Sequence, residues 1–173
     1  MKRLIAFMCA FSVLLSAGGC DKTTTLPGQK DAAVDELVGA WRGKVEFKSG
    51  ALAEFKELEF MYVFNAGGTM TESSNYDAAP PVPPAYGVWR KTGTREFEAR
   101  YEFFSTKATN PLEEIAKGGG WVPDGRGVLF EKITLSEDGK SFESQIRYDA
   151  FDPAGKPTES GSEGTSRGSR IGF

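Results

Sequence analysis

The chain has 173 residues, of which 39% are apolar, 26% charged and 12% aromatic, with a formal net charge of −3. Such a make-up belongs to one folded domain and excludes a disordered tail, a bundle of membrane helices and a basic nucleic-acid binder. There is no histidine, and both cysteines, Cys9 and Cys20, lie in the first twenty residues. The body therefore lacks thiol nucleophiles, imidazole bases and the usual ligands for zinc, copper or haem.

In chain order, Lys2 and Arg3 are followed by an apolar run from Leu4 to Leu15 and by Ser16-Ala17-Gly18-Gly19-Cys20. This is the layout of a secretory signal, and the run falls short of the roughly 20 residues that a transmembrane helix needs. The small residues ending at Cys20 resemble the lipobox of bacterial lipoproteins, with Ala17 where leucine is usual. The resemblance implies cleavage before Cys20, acylation of its thiol and amino group with palmitate-type chains, and a membrane anchor in the cell envelope. The alternative is an ordinary signal peptide that leaves a free cysteine, a liability in an oxidising compartment. Asp21 resembles the inner-membrane retention signal of enteric lipoproteins, a rule that varies between bacterial groups, so inner and outer membrane both stay open. Residues 20–30 then form the lipidated cysteine and a flexible tether of Thr, Pro, Gly and charge, leaving 31–173 as the folded domain.

Asp31 is placed to cap a short helical turn over Ala32 to Leu37, stopped by Gly39. From Ala40 to Lys48 the pattern alternates strictly: Trp41, Gly43, Val45 and Phe47 on one face, Arg42, Lys44, Glu46 and Lys48 on the other. Leu58, Phe60, Tyr62 and Phe64 repeat it, and Ala66-Gly67-Gly68 turns into a strand over Thr69 to Tyr76. Prolines 80, 81, 83 and 84 predict a stiff loop. Tyr86 to Lys91 follows, then a turn at Thr92-Gly93-Thr94 and a strand over Glu96 to Ser105. Pro111 to Lys117 suits two helical turns, and Gly118 to Gly127 a loop. Val128 to Leu135 leads into a hairpin at Ser136-Glu137-Asp138-Gly139, then Phe142, Ser144, Ile146 and Tyr148 alternate with charged and polar neighbours. Asp152-Pro153-Ala154-Gly155 turns into a last segment rich in glycine and serine, either a barrel seam or a frayed tail.

About eight strands with tight turns and one apolar face predict an all-β fold, an antiparallel up-and-down barrel; a two-sheet sandwich is the alternative. Gly39-Ala40-Trp41 is a G-x-W opening the first strand after a short turn, which resembles the start of the lipocalin-like, or calycin, barrels. Gly67 to Glu72, Gly87 to Lys91 and Ile133 to Gly139 are similar to small uncharacterised bacterial domains of that type. The resemblance implies a structural role for Trp41, packed against an arginine late in the last strand, Arg170 or alternatively Arg167. It also implies a small hydrophobic or amphipathic ligand held inside.

Carboxylates are the one common acid or base type left. Glu57 and Glu59 lie roughly 7 Å apart on one strand face, Glu98 and Glu102 likewise share a face of another strand, and all four alternate with aromatics and so point to solvent. Asp138 and Asp152 suit turns, without the dense oxygen run of a calcium loop. No dinucleotide fingerprint, phosphate loop, nucleophile elbow or zinc-protease motif occurs. The expectation is a non-enzymatic envelope lipoprotein without cofactor, metal or nucleic-acid partner; buried carboxylates with raised pKa values in one cleft would argue for catalysis instead. Tyr62, Tyr101, Phe103, Phe142 and Tyr148 either line a ligand pocket or fill a dry core. In the latter case the protein is structural or binds a protein partner.

Overall fold

The computed structural model describes residues 36–76, 83–108 and 120–173. Outside the described residues lie the leader, Cys20, the tether, most of the Ala32 to Leu37 turn, prolines 80 and 81, and the Pro111 to Lys117 segment.

Alternation carries the architecture. In β1 (Gly39–Phe47) Trp41, Val45 and Phe47 are buried while Arg42, Lys44 and Glu46 are exposed. A period of two gives a sheet one apolar face, and curling the sheet onto that face removes both the apolar surface and the unpaired edges. The strands β2 (Leu58–Phe64), β3 (Thr69–Ser74), β4 (Ala85–Gly93), β5 (Glu96–Ala108), β6 (Trp121–Leu135), β7 (Ser141–Phe151) and β8 (Pro157–Arg170) follow, each antiparallel to the one before. β8 pairs back onto β1 from Phe47↔Gly164 to Trp41↔Arg170, so the sheet closes into an eight-stranded barrel and the sandwich is excluded.

β8 closes the barrel although it is poor in strand formers. Its inward positions are Ser162, Gly164, Ser166 and Gly168, all buried, opposite the largest rings of the core. At Gly168, paired with Phe142, an added Cβ would overlap the Phe142 ring. Small residues on one strand thus make room for large ones on its neighbours, and fully burying each such aromatic side chain contributes about 1.5–3 kcal/mol.

The turns at one end are tight. Between β2 and β3, Gly68 N donates to Asn65 O at 3.0 Å, and the Trp89 indole N–H reaches both Asn65 O and Thr69 O at 3.1 Å. Between β6 and β7, Asp138 accepts from Ser136 Oγ at 2.7 Å and Lys140 N at 3.0 Å, the self-capping that Asp-Gly turns use. At the other end lie the one short 3-10 turn among the described residues, Ala51–Glu54, and a turn in which Asp152 accepts from Lys156 N at 2.8 Å.

Two expectations are corrected. The predicted loop over Gly118 to Gly127 is strand from Trp121 onward, because β5 runs to Ala108 and supplies a partner. Pro123 is accommodated opposite Thr106, where the register shifts and no regular ladder donor is required. The turn expected at Thr92-Gly93-Thr94 lies one step later: Gly93 pairs with Glu96, and Arg95 takes φ 62°.

Candidate functional site

The barrel interior divides into a sealed end, a polar centre and a half-open end. At the sealed end Trp41 is fully buried and its indole donates to Leu37 O at 2.9 Å. The Arg170 guanidinium lies 4.2 Å from the Trp41 ring centroid, a cation–π contact worth about 0.5–2 kcal/mol. The same guanidinium donates to Val38 O at 2.7 Å, Gly139 O at 3.1 Å and Glu36 O. It therefore ties the entry to β1, the β6–β7 turn and the end of β8 together. Arg167 points outward to Glu143 at 3.4 Å instead. Behind Trp41, Phe142 stands 5.3 Å away edge to face and Tyr62 a further 5.8 Å, so rings fill this end.

The centre holds what the alternation of aromatics did not announce. Glu131, 1% exposed, occupies an inward position of β6 between Leu129 and Ile133. It accepts from Tyr101 Oη at 2.9 Å, Ser144 Oγ at 2.5 Å and, more loosely, Tyr62 Oη at 3.5 Å. Burial pushes its carboxyl up to about 7, against the pull of those three hydroxyls. Glu72, 5% exposed, sits on β3 opposite Tyr62 and is pushed up to about 8 by burial and then by the charge of Glu131. Its Oε1 has no hydrogen-bond partner, and neither has the buried Ser166 Oγ. Tyr62 and Tyr101 are driven well above the ordinary phenol range by burial first and the neighbouring carboxylates second.

Toward the other end Phe103, Tyr148 and Tyr76 are partly buried, Phe55 is exposed and Phe47 is buried. Phe103 and Tyr148 stack at 6.3 Å with planes 8° apart, over Gly127, where an added Cβ would collide with both rings. Phe47 meets Tyr148 at 6.4 Å, and Phe55 meets Tyr76 at 4.2 Å. The Tyr148 hydroxyl is raised to about 12 by burial and then by Glu159 and Tyr76, which face it across this end. Glu159 is held by Ser162 Oγ at 2.5 Å and Ala51 N at 3.3 Å.

Of the aromatics singled out from sequence, Tyr62, Tyr101 and Phe142 are therefore enclosed at the centre and sealed end, and Phe103 and Tyr148 stand at the half-open end. The carboxylates paired on sequence face solvent: Glu59 with Arg42 at 2.5 Å, Glu98 with Arg90 at 2.7 Å, Glu102 with Arg100 and Arg126, and Glu57 with Lys44 at 3.6 Å, although Glu57 precedes β2 at φ 55° and does not share a strand face with Glu59. On the outer wall, a groove of about 770 Å³ crosses β4 to β8, with Phe130 between the guanidinium groups of Arg100 and Arg147 at 5.6 and 4.3 Å. Among the described residues no three His, Cys, Asp or Glu side chains gather to hold a metal ion, and no helix is long and apolar enough to cross a membrane. Comparison with known proteins found no matching family model, no matching curated protein and no matching solved structure.

Proposed function

We propose that the chain is a lipoprotein of the bacterial cell envelope, anchored through Cys20, whose lipocalin-like barrel takes up a small amphipathic ligand at the end lined by Phe47, Phe103 and Tyr148. The observation that carries this reading is the asymmetry of the interior. Rings and an arginine clasp seal one end, the other keeps Phe103 and Tyr148 only partly buried, and the interior holds a carboxylate oxygen without a partner. Apolar walls with a few convergent polar groups are the usual make-up of a small-molecule site. Glu72 and Glu131 are buried carboxyls with raised pKa values, the feature that would argue for catalysis, and we assign them to binding instead.

Intact mass spectrometry of the natively purified full chain is expected to reveal a co-purifying small molecule. A panel of lipids and aromatic compounds is expected to raise its melting temperature. A clean mass and an unmoved melting temperature overturn the ligand reading and leave the alternative, a filled barrel serving a structural or protein-binding role. The chain of ring contacts from Trp41 through Phe142 and Tyr62 to Phe64 favours that alternative. For the anchor, Cys20→Ser is expected to move the protein from the membrane fraction to the soluble one; a variant that stays membrane-bound overturns it.

A further inference from the structure

We propose that Glu72, beside Glu131 inside the barrel, is the subsite for a cationic head group on the ligand, a protonated amine carrying an apolar tail. The inference rests on the ligand reading above and names the chemistry at its inner end.

The argument begins with hydrogen-bond demand. Buried polar groups in folded proteins are almost always paired, and an unpaired one signals a missing partner. Glu131 takes the hydroxyls of Tyr62, Tyr101 and Ser144, leaving Glu72 Oε1 and Ser166 Oγ unpartnered although both residues are at least nine-tenths buried. A donor placed against Glu72 Oε1 satisfies that demand.

Charge then selects among donors. The buried polar residues described are Glu72, Glu131, Ser144, Ser162 and Ser166, so two acids share the interior with hydroxyls and without a buried cation. A neutral alcohol or amide meets the hydrogen-bond demand but offers nothing to offset the charge of the acids once they ionise. An ammonium group does both, donating hydrogen bonds and pairing with an ionised carboxylate. An anion is excluded by the same two acids. Access follows from topology: after Glu72, the next inward position of β3 is Ser74, the strand's last residue and only partly buried. Partly buried Tyr76, which faces Tyr148 at the half-open end, lies just beyond.

The groups that set the protonation of this subsite are Tyr62 from β2, Tyr101 from β5 and Glu131 from β6, with the hydroxyls of Ser144 from β7 and Ser166 from β8. β4 contributes Ala85, and β1 contributes Gly43 and Val45, none of which titrates. Glu72, raised to about 8, is largely protonated at neutral pH, so an ammonium group that pairs with its carboxylate displaces that proton to solvent. Alkylammonium ions keep their own proton in this range. Binding should therefore strengthen as pH rises from about 6 to 8 and release protons as it occurs.

The test is calorimetry on the purified full chain with head groups varied on two fixed tails: hexylammonium, hexanol and hexanoate, and phenylethylammonium, phenylethanol and phenylpropanoate. The amines are expected to bind about tenfold or more tightly than the alcohols, and the acids least. The amine enthalpy is expected to vary with buffer ionisation as protons are released. Glu72→Gln, close to the natural side chain in shape, is expected to abolish the preference for amine over alcohol and the proton release while retaining alcohol binding. Alcohols and acids binding as well as the amines overturns the head-group inference alone, as does an amine preference that survives in a folded Glu72→Gln. If none of the probes binds at millimolar concentration, the ligand reading falls with it. The head-group and buffer series on the unaltered protein decides the matter even if the variant does not fold.

Discussion

Trp41 and Glu72 lie inside the same barrel, on strands separated only by β2, yet their surroundings follow opposite rules. Around Trp41 the polar atoms have found partners: the indole N–H has Leu37 O, and Arg170 has the carbonyls of Val38, Gly139 and Glu36. At Glu72 a carboxylate oxygen has none, and burial holds the acid at about 8. The first arrangement stabilises the fold; the second costs stability and persists where something other than folding requires it. Glu131 stands between the two, buried as deeply as Trp41 but supplied with three hydroxyls.

The comparison is broken most directly at Trp41. Trp41→Ala removes a fully buried ring that touches Phe142 and carries the Arg170 contact, and is expected to cost about 3–5 kcal/mol in urea unfolding. Tyr148→Ala, at the half-exposed end, is expected to cost clearly less. Equal losses would mean that the two ends are packed alike.

The pH dependence of stability comes next in size. Both carboxyls are raised in the folded state, to about 7 for Glu131 and about 8 for Glu72, above an ordinary 4.5. The folded chain thus binds more protons than the unfolded one between these values, so stability falls as pH rises. The contribution is fully present below about pH 4.5 and is lost through pH 7 to 8, with a sum on the order of several kcal/mol for this coupled pair. Melting temperature is expected to fall from pH 5 to pH 8. In Glu72→Leu that slope should shrink, and a flat profile in the natural protein would show that the acids are not buried as described.

The same substitution at both acids should have opposite signs. Glu131→Leu strands the hydroxyls of Tyr101 and Ser144 and is expected to destabilise by about 1–3 kcal/mol at pH 7. Glu72→Leu removes an unpartnered buried acid and is expected to be neutral or to stabilise by about 1 kcal/mol. Two losses of similar size in denaturant melts would erase the distinction between a satisfied and an unsatisfied carboxylate.

Much of the fold was legible because strands with one buried face betray their period. Trp41, Val45 and Phe47 against Arg42, Lys44 and Glu46 give the face of β1 directly, and Asp138-Gly139 marks its hairpin by turn chemistry. Pro123 and Gly125 misled, because local preference for a turn lost to the long partner strand that β5 provides. The serines and glycines of β8 became readable only with their neighbours, since their smallness answers Phe142 and Phe47 across the seam. The polar centre does not show when carboxylates are taken in pairs along exposed faces. The signal was present in phase instead: Glu131 alternates with Leu129 and Ile133, and Glu72 falls two residues after Met70. An acid in step with an apolar face has to be buried once the sheet closes.

The smallest effect belongs to the outer wall. Arg90 and Glu98 approach to 2.7 Å, a shorter contact than the Tyr101–Glu131 hydrogen bond, but their side chains are 77% and 38% exposed. Water screens such a pair and ordering two long side chains opposes it, so the pair is expected to contribute between about 0 and 1 kcal/mol. Arg90→Ala should therefore shift the urea midpoint little, and raising the salt concentration should shrink that shift further. The effect of Glu131→Leu should be nearly independent of salt, because its partners are enclosed. If Arg90→Ala cost as much as Glu131→Leu, the shorter distance would outweigh burial, and the contrast between the barrel's interior and its surface would have to be redrawn.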